Sequence, residues 1–275
     1  MASEEGTEKV SFIEGMADKM GSYTTNSDVK QVFAVMSNEV LKFLRGKKIY
    51  VYLVLLALFL SLDILLPLFL EVDGEVMTLT DDGAEIARGV LNDLSLALLI
   101  MATLFSASSI SSEFEERTAL ILLTKPIRRT TIIMGKFMAS VFVGVVTLVF
   151  YYILAIAFYL ISGTAPTGDL FAGFVMYIFM ILMVVAVATL VSAFAKKSST
   201  SAVLTLFVLL VFPLILEAIL ASRGFDTWFL LGSLRTSAAA VINGGGEPFR
   251  DAIAMVVWTV ATLAGSVALF QKRQF

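Results

Sequence analysis

The sequence predicts an all-α integral membrane protein with six transmembrane helices, and three observations support this fold class. Of the 275 residues, 58% are hydrophobic and 16% are charged, whereas a soluble domain carries about 25% charged residues. The apolar residues form six stretches, each close to the roughly 20 residues that a helix needs to cross a bilayer. Lysine and arginine gather on one side of these stretches, a bias typical of membrane proteins.

Three parts follow one another along the chain. Residues 1–29 contain six acidic residues and lack the apolar core of a signal peptide, which predicts a flexible cytosolic tail. Residues 30–46 form an amphipathic stretch, and residues 47–275 form the predicted transmembrane domain. Its predicted spans are 49–70, 89–110, 131–162, 170–194, 201–221 and 250–270.

The amphipathic stretch 30–46 places apolar residues at three- and four-residue steps, from Val32 to Leu44, between charged residues. It is too polar to span a bilayer. One interpretation is a helix that lies in the headgroup plane, with Gly46 turning the chain into the first span. The other is a soluble helix packed against a partner protein.

The basic residues predict the orientation of the spans. Thirteen lysines and arginines lie close to the span ends on one side, and four arginines lie on the other. Because short cytoplasmic loops are enriched in lysine and arginine, the first side is predicted to be cytoplasmic. An even number of spans then places both termini in the cytoplasm.

On the predicted outer side, the segment 222–249 has apolar patches that are too short to span, including Trp228 and Phe229. One interpretation is one or two half-helices that dip into the outer leaflet and close an exit. The other is an interfacial belt of aromatic residues.

Three acidic residues fall within or beside the predicted spans: Asp63, Asp93 and Glu217. A charge at the bilayer centre costs about 3 kcal/mol on insertion scales, so these side chains should face protein or water. Asp63 and Glu217 are candidates for lining a transport pathway. The alternative is pairing within the bundle for Asp63, and headgroup depth for Glu217. Headgroup depth is the favoured interpretation for Asp93.

The most informative segment is 111–130, a charged stretch between the second and third spans. Ser112 and Glu115 have the spacing of a capping box, and Glu113 suits the positive end of a helix dipole. A short helix should follow, because Pro126 disfavours helix in the residue before it. One interpretation of the segment is a short helix that transmits motion from a soluble partner. The other is an ordinary interfacial loop.

Cysteine and histidine are absent from the sequence. Disulfides, zinc sites built on thiolate or imidazole, and Ser-His-Asp or Cys-His nucleophiles are therefore excluded. The chain lacks the G-x-x-x-x-G-K-S/T motif of a phosphate loop, and its net charge of −3 argues against nucleic acid. We expect no cofactor or metal on this chain.

Residues 115–129 run Glu-Glu-Arg-Thr-Ala-Leu-Ile-Leu-Leu-Thr-Lys-Pro-Ile-Arg-Arg and are followed by Gly135-Lys136. This pattern resembles the central signature of the type-2 ATP-binding-cassette (ABC-2) permeases. Residues 38–45 are similar to the elbow helix of that family, which includes copper-site accessory and sodium or drug efflux permeases. Arg117 stands where the family often has glycine, which either loosens the turn or adds a charge to the ATPase contact.

The resemblance implies an elbow helix, a cytosolic coupling helix and an ATP-driven exporter in the cell membrane of a bacterium or archaeon. Two copies of the chain would pair, each bound to a separate cytosolic ATPase subunit that carries ATP and Mg. The residues implied to contact that ATPase are Ser112, Glu113, Phe114, Glu115, Glu116, Arg117, Thr118, Lys196 and Lys197.

Two other functions remain open from the residues alone. A secondary transporter or channel driven by an ion gradient typically has internal repeats and interrupted helices, and we find no repeat in this sequence. A membrane enzyme or anchor subunit is the third alternative, although the absence of cysteine and histidine weakens most such chemistries.

Overall fold

The computed structural model describes residues 28–69, 83–115, 128–165 and 167–272. These residues contain no strand and form eight helices, six of which are long and apolar enough to cross a membrane. The helices are α1 (28–45), α2 (Lys47–Phe69), α3 (Gly83–Glu115), α4 (Arg129–Ile161), α5 (Gly168–Phe194), α6 (Ser198–Ser222), α7 (Leu231–Ile242) and α8 (Pro248–Lys272). The predicted all-α fold with six membrane-spanning helices is confirmed.

Helices α3 and α5 form the centre of the bundle. In the most apolar stretch of each helix, the buried fraction of residues is 83% for α3 and 67% for α5. The same fraction is 11% for α2 and 17% for α6. Helix α5 packs along α7 and α8, and α3 packs along α2 and α4. The outer helices therefore expose wide apolar faces, which suit contact with lipid or with another chain.

Two π-helical turns interrupt the spans, at Ala102–Ser106 in α3 and at Phe207–Val211 in α6. The turn in α6 lies just before Pro213, which lacks an N–H group and disrupts the regular hydrogen-bond ladder. In α3, the hydroxyl of Ser106 donates to the carbonyl of Val185 on α5 over 3.1 Å. This hydrogen bond links the π-helical turn of α3 to α5.

The end of the bundle at which α2, α4 and α6 begin, and α3, α5 and α8 finish, is called the basic end here. Helix α1 lies at this end, and the chain bends at Gly46 before α2 begins. The position of α1 in the headgroup plane stays a prediction. A side chain at Gly46 would crowd the backbone, because an added Cβ would lie 3.0 Å from the carbonyl oxygen of Lys42.

Helix α7 lies at the opposite end, packed on α3, α5 and α8. The Asn243 amide donates to Oδ1 of Asn92 over 3.2 Å, and the Ser237 hydroxyl donates to Asp251 over 2.7 Å. The segment 222–249 thus holds one helix that is tied to its neighbours. Its depth in a bilayer stays a prediction.

Helix α3 differs from the predicted second span, since it begins at Gly83 and continues to Glu115. The capping box predicted at Ser112 is wrong, because the last helical stretch already includes Ser111. The Ser192 hydroxyl on α5 accepts hydrogen bonds from the N–H groups of Ile110 and Ser111, over 3.0 and 3.1 Å. Because α5 supplies this acceptor, no new helix cap is needed at this point.

Candidate coupling site

Three charged side chains meet at the basic end, one each from α1, α3 and α4. Nζ of Lys136 lies 2.5 Å from Oε1 of Glu39 and 2.7 Å from Oε1 of Glu113. It also donates to the carbonyl oxygen of Ser109 over 2.8 Å. The side chains of Lys136, Glu39 and Glu113 are only 1%, 6% and 8% exposed. We call these three residues the ion triad.

The ion triad connects three helices through a fully used ammonium group. An ammonium has three protons to donate, and Lys136 has three acceptors: two carboxylates and one carbonyl. Burial of such charges is favourable only when the geometry is good and the polar groups are satisfied. The ammonium group meets this condition, whereas Oε2 of Glu39 has no hydrogen-bond partner among the described residues. The triad therefore holds α1, α3 and α4 in one relative position.

Gly135 explains how α1 comes close enough to complete the triad. An added Cβ at Gly135 would lie 2.6 Å from Cβ of Val35 and 3.1 Å from the carbonyl oxygen of Val32. Any side chain here would push α1 away from α4. The Gly135-Lys136 pair thus has two physical roles, a close approach of two helices and the ionic link beside it.

The Glu113 side chain is buried in the ion triad. Its contact with the ATPase, which the resemblance implies, stays a prediction. Phe114 is half-buried, and its ring packs against that of Phe270 on α8 with centroids 6.1 Å apart. Ser112 is half-buried and lines a cavity described below. Glu116, Arg117 and Thr118 lie outside the described residues.

Glu115 brings the two predicted contact segments together. Its Oε2 accepts a hydrogen bond from the backbone N–H of Ser198 over 2.9 Å. Ser198 is the first residue of α6, so the carboxylate satisfies a free N–H group and complements the helix dipole. Lys196 and Lys197 directly precede it and are exposed. We call Glu115, Lys196, Lys197 and Ser198 the coupling surface.

Arg128 and Arg129, the basic pair of the signature, contact different partners. Nη1 of Arg129 donates to the carbonyl oxygens of Gln271 and Phe270, over 2.9 and 3.3 Å. These carbonyls belong to the last turn of α8, where a cation is favourable. Arg128 lies 3.2 Å from Asp28 in an ion pair at the surface, which contributes little to stability.

Sequence reasoning missed Glu39, Lys136 and Ser192 as parts of this site. The sequence pattern places Glu39 among the charged residues of the amphipathic stretch and Lys136 in the Gly-Lys pair of the signature, with no indication that the two side chains meet. One signal was available, because Val35, Glu39 and Phe43 recur at four-residue steps and therefore share one face of α1. Ser192 carries no such signal.

Glu217 caps α7 at the opposite end. Its Oε1 accepts hydrogen bonds from the N–H of Ser233 over 2.6 Å and from the Ser233 hydroxyl over 3.2 Å. It lines a polar cavity of about 260 Å³ together with Arg235. Burial lowers the pKa of the Arg235 guanidinium, and the Glu217 carboxylate opposes that shift. A structural role thus explains Glu217, and its pathway role stays a prediction.

Asp63 is half-buried in α2, and its Oδ2 atom is buried without a hydrogen-bond partner among the described residues. Pairing of Asp63 within the bundle stays a prediction. A pathway role for Asp63 stays a prediction. Within the four described ranges, no three acidic side chains come close enough together to hold a metal ion.

The comparison with known families agrees with this geometry. A family model described as "ABC-2 family transporter protein" matches residues 33–275, which include the ion triad and the coupling surface. No curated protein matches the chain closely enough to count as a relative. The matched range holds all six apolar helices. The chain therefore belongs to the ABC-2 family and is a multi-pass membrane permease of an ABC transporter.

Proposed function

We propose that this permease is the membrane subunit of an ATP-driven exporter. It works as a homodimer with two separate ATPase subunits, which carry ATP and Mg. The basic end and both termini lie in the cytoplasm, and the cell membrane is that of a bacterium or archaeon. The observation that carries the proposal is the hydrogen bond from Ser198 to Glu115, which joins the two segments expected to meet the ATPase.

The contacts of the basic end supply a route for motion. An ATPase that moves the coupling surface moves the end of α3 and the start of α6 together, because Glu115 joins them. The neighbouring Glu113 then transfers the movement of α3 to Lys136 on α4 and Glu39 on α1. Buried, close-packed contacts of this kind respond as a unit instead of deforming gradually.

The exposed apolar faces support a second copy of the chain as a partner. Only 17% of the most apolar stretch of α6 is buried, and Leu214, Ile215 and Ile219 are exposed on it. Glu217 on this helix and Arg235 on α7 line a polar cavity at the opposite end. In the proposed dimer, the path for the exported substrate runs between the two copies.

The test is capture of an ABC ATPase subunit from the same organism, coexpressed with a tagged permease. We expect Glu115→Ala/Glu116→Ala to reduce capture by about tenfold, as the loss of a central interface contact does. The matched control is Asp169→Ala/Asp226→Ala, which removes two exposed acids at the opposite end and should leave capture unchanged.

Two results would contradict the proposal. Full capture by the Glu115→Ala/Glu116→Ala variant would remove the coupling surface from the ATPase contact. Transport by the purified permease in liposomes without any ATPase would favour the transporter driven by an ion gradient.

A further inference from the structure

We propose that the turn between α1 and α2 binds an anionic phospholipid with a hydroxylated headgroup, from the leaflet at the basic end. The ligand would be held by α1, the first turns of α2, and parts of α3 and α4. None of the residues that line the site belongs to the coupling surface, so the inference goes beyond the proposed function.

The headgroup part is a cavity of about 260 Å³ beside the bend at Gly46. Lys42 of α1 and Lys47 and Lys48 of α2 line it, and the side chains of Lys42 and Lys47 are exposed. Lysine ammonium groups that line one cavity suit a phosphodiester, since charge-assisted hydrogen bonds to phosphate are strong. Basic residues beside a membrane also attract anionic lipids.

The floor of the cavity holds two buried polar atoms that lack a partner. Oγ of Ser109 and Oε2 of Glu39 form no hydrogen bond with any described residue. Both residues are only 5% exposed, and both line this cavity. Buried polar groups are nearly always hydrogen-bonded in native proteins. A hydroxyl of the headgroup can donate to the Glu39 carboxylate and also bond with the Ser109 hydroxyl.

The acyl part is a second cavity of about 290 Å³, between α1, α2 and α4. Its walls are almost entirely apolar and include Val40, Leu44, Leu53, Val146 and Phe150. Phe43 lines both cavities, so they adjoin. A ligand that fills both must carry an anionic polar head and an apolar chain.

The surroundings favour a lipid over a soluble anion or a protein. Leu53, Val146 and Phe150 are 51%, 53% and 44% exposed on helices that are long and apolar enough to span a bilayer. A soluble phosphate ester would leave the apolar cavity empty. The exposed apolar residues of α1, Phe33, Leu41 and Leu44, are also suited to the acyl region of a bilayer.

The first experiment measures lipid retention by native mass spectrometry of the purified chain in detergent. We expect dioleoylphosphatidylglycerol to be retained in preference to dioleoylphosphatidylcholine. Lys42→Gln/Lys47→Gln should weaken phosphatidylglycerol binding by about tenfold, because each basic residue near an anionic lipid contributes appreciably. Lys30→Gln/Lys272→Gln, which removes two exposed charges outside the cavity, should leave binding unchanged.

Two further variants test the buried polar atoms of the first cavity and the apolar cavity. Ser109→Ala removes a buried hydroxyl without changing charge, and we expect weaker phosphatidylglycerol binding with unchanged phosphatidylcholine binding. Val146→Trp narrows the apolar cavity at an exposed position, so folding should be retained. It should weaken phosphatidylglycerol binding while every lysine of the site is intact.

Several results would overturn the proposal. Equal retention of the two lipids by the wild-type chain would remove the preference for an anionic headgroup. Equal losses of phosphatidylglycerol binding in the two lysine double variants would show that binding depends on surface charge in general and not on this cavity. Displacement of phosphatidylglycerol by glycerol phosphate at the same concentration would identify a soluble anion as the ligand. Unchanged binding by Ser109→Ala would remove the buried floor from the site.

Discussion

At the residue scale, Lys136 matters most because it satisfies two buried carboxylates at once. Glu39 and Glu113 come from parts of the chain 97 and 23 residues away from it, and the three side chains are almost fully buried. Replacement of a buried ion pair by apolar groups is often tolerated, whereas removal of one partner leaves a charge without compensation. The triad is therefore sensitive to single substitutions.

We expect Lys136→Met to destabilise the protein by about 3–5 kcal/mol, since it leaves two buried carboxylates unpaired. The measurement is thermal unfolding of the purified chain in detergent. Lys196→Met, at an exposed lysine of the same end, is the control and should unfold like the wild type.

A triple variant tests whether removal of all three charges of the ion triad restores stability. The triple variant Glu39→Gln/Lys136→Met/Glu113→Gln removes all three charges and should recover much of the lost stability. A wild-type melting temperature for Lys136→Met alone would show that the triad does not hold the three helices together.

Gly135 gives a second test at the residue scale. We expect Gly135→Ala to destabilise the protein by about 1–3 kcal/mol, because the new methyl group overlaps Val35. Gly89→Ala is the matched control in α3, where an added Cβ has nothing within 4 Å. Alanine is the better helix former, so this control should be neutral or stabilising. Thermal unfolding that shows the same shift in both variants would contradict the close approach of α1 and α4.

At the element scale, the end of α3 is defined by its neighbours as much as by its own residues. Its last turns are held by Ser192 on α5, Lys136 on α4 and the start of α6. Local sequence rules placed a helix start at Ser112, because the capping pattern is present there. They failed because the acceptor for the free N–H groups comes from a residue about 80 positions away.

We expect Ser192→Ala to release this end of α3. The N–H groups of Ile110 and Ser111 lose their acceptor, at a cost of about 1–3 kcal/mol for buried groups left unpaired. Hydrogen exchange followed by mass spectrometry should show faster exchange at residues 110–115. Ser199→Ala, at an exposed serine of α6, should leave exchange there unchanged. Unaltered protection in Ser192→Ala would contradict the proposed anchoring.

At the scale of the whole molecule, the six spans were predictable because a bilayer demands long apolar helices, whatever their neighbours. The burial of Glu113 and Lys136 was not, since a charged residue near a span end is ordinarily solvated. Distant partners such as Glu39 leave no periodic signal that pairs them with Lys136. The resemblance identified the segments of the site, and only the packing shows which of their side chains face inward.

The most direct test of the proposed ATPase contact uses the absence of cysteine from the chain. Lys197→Cys places a single thiol on the coupling surface, and Gly245→Cys places one at the opposite end. Each variant is coexpressed with its ATPase subunit in inverted membrane vesicles and treated with a short thiol-to-amine crosslinker. We expect Lys197→Cys to crosslink to the ATPase and Gly245→Cys to give no product. Crosslinking from Gly245→Cys, with none from Lys197→Cys, would contradict the account.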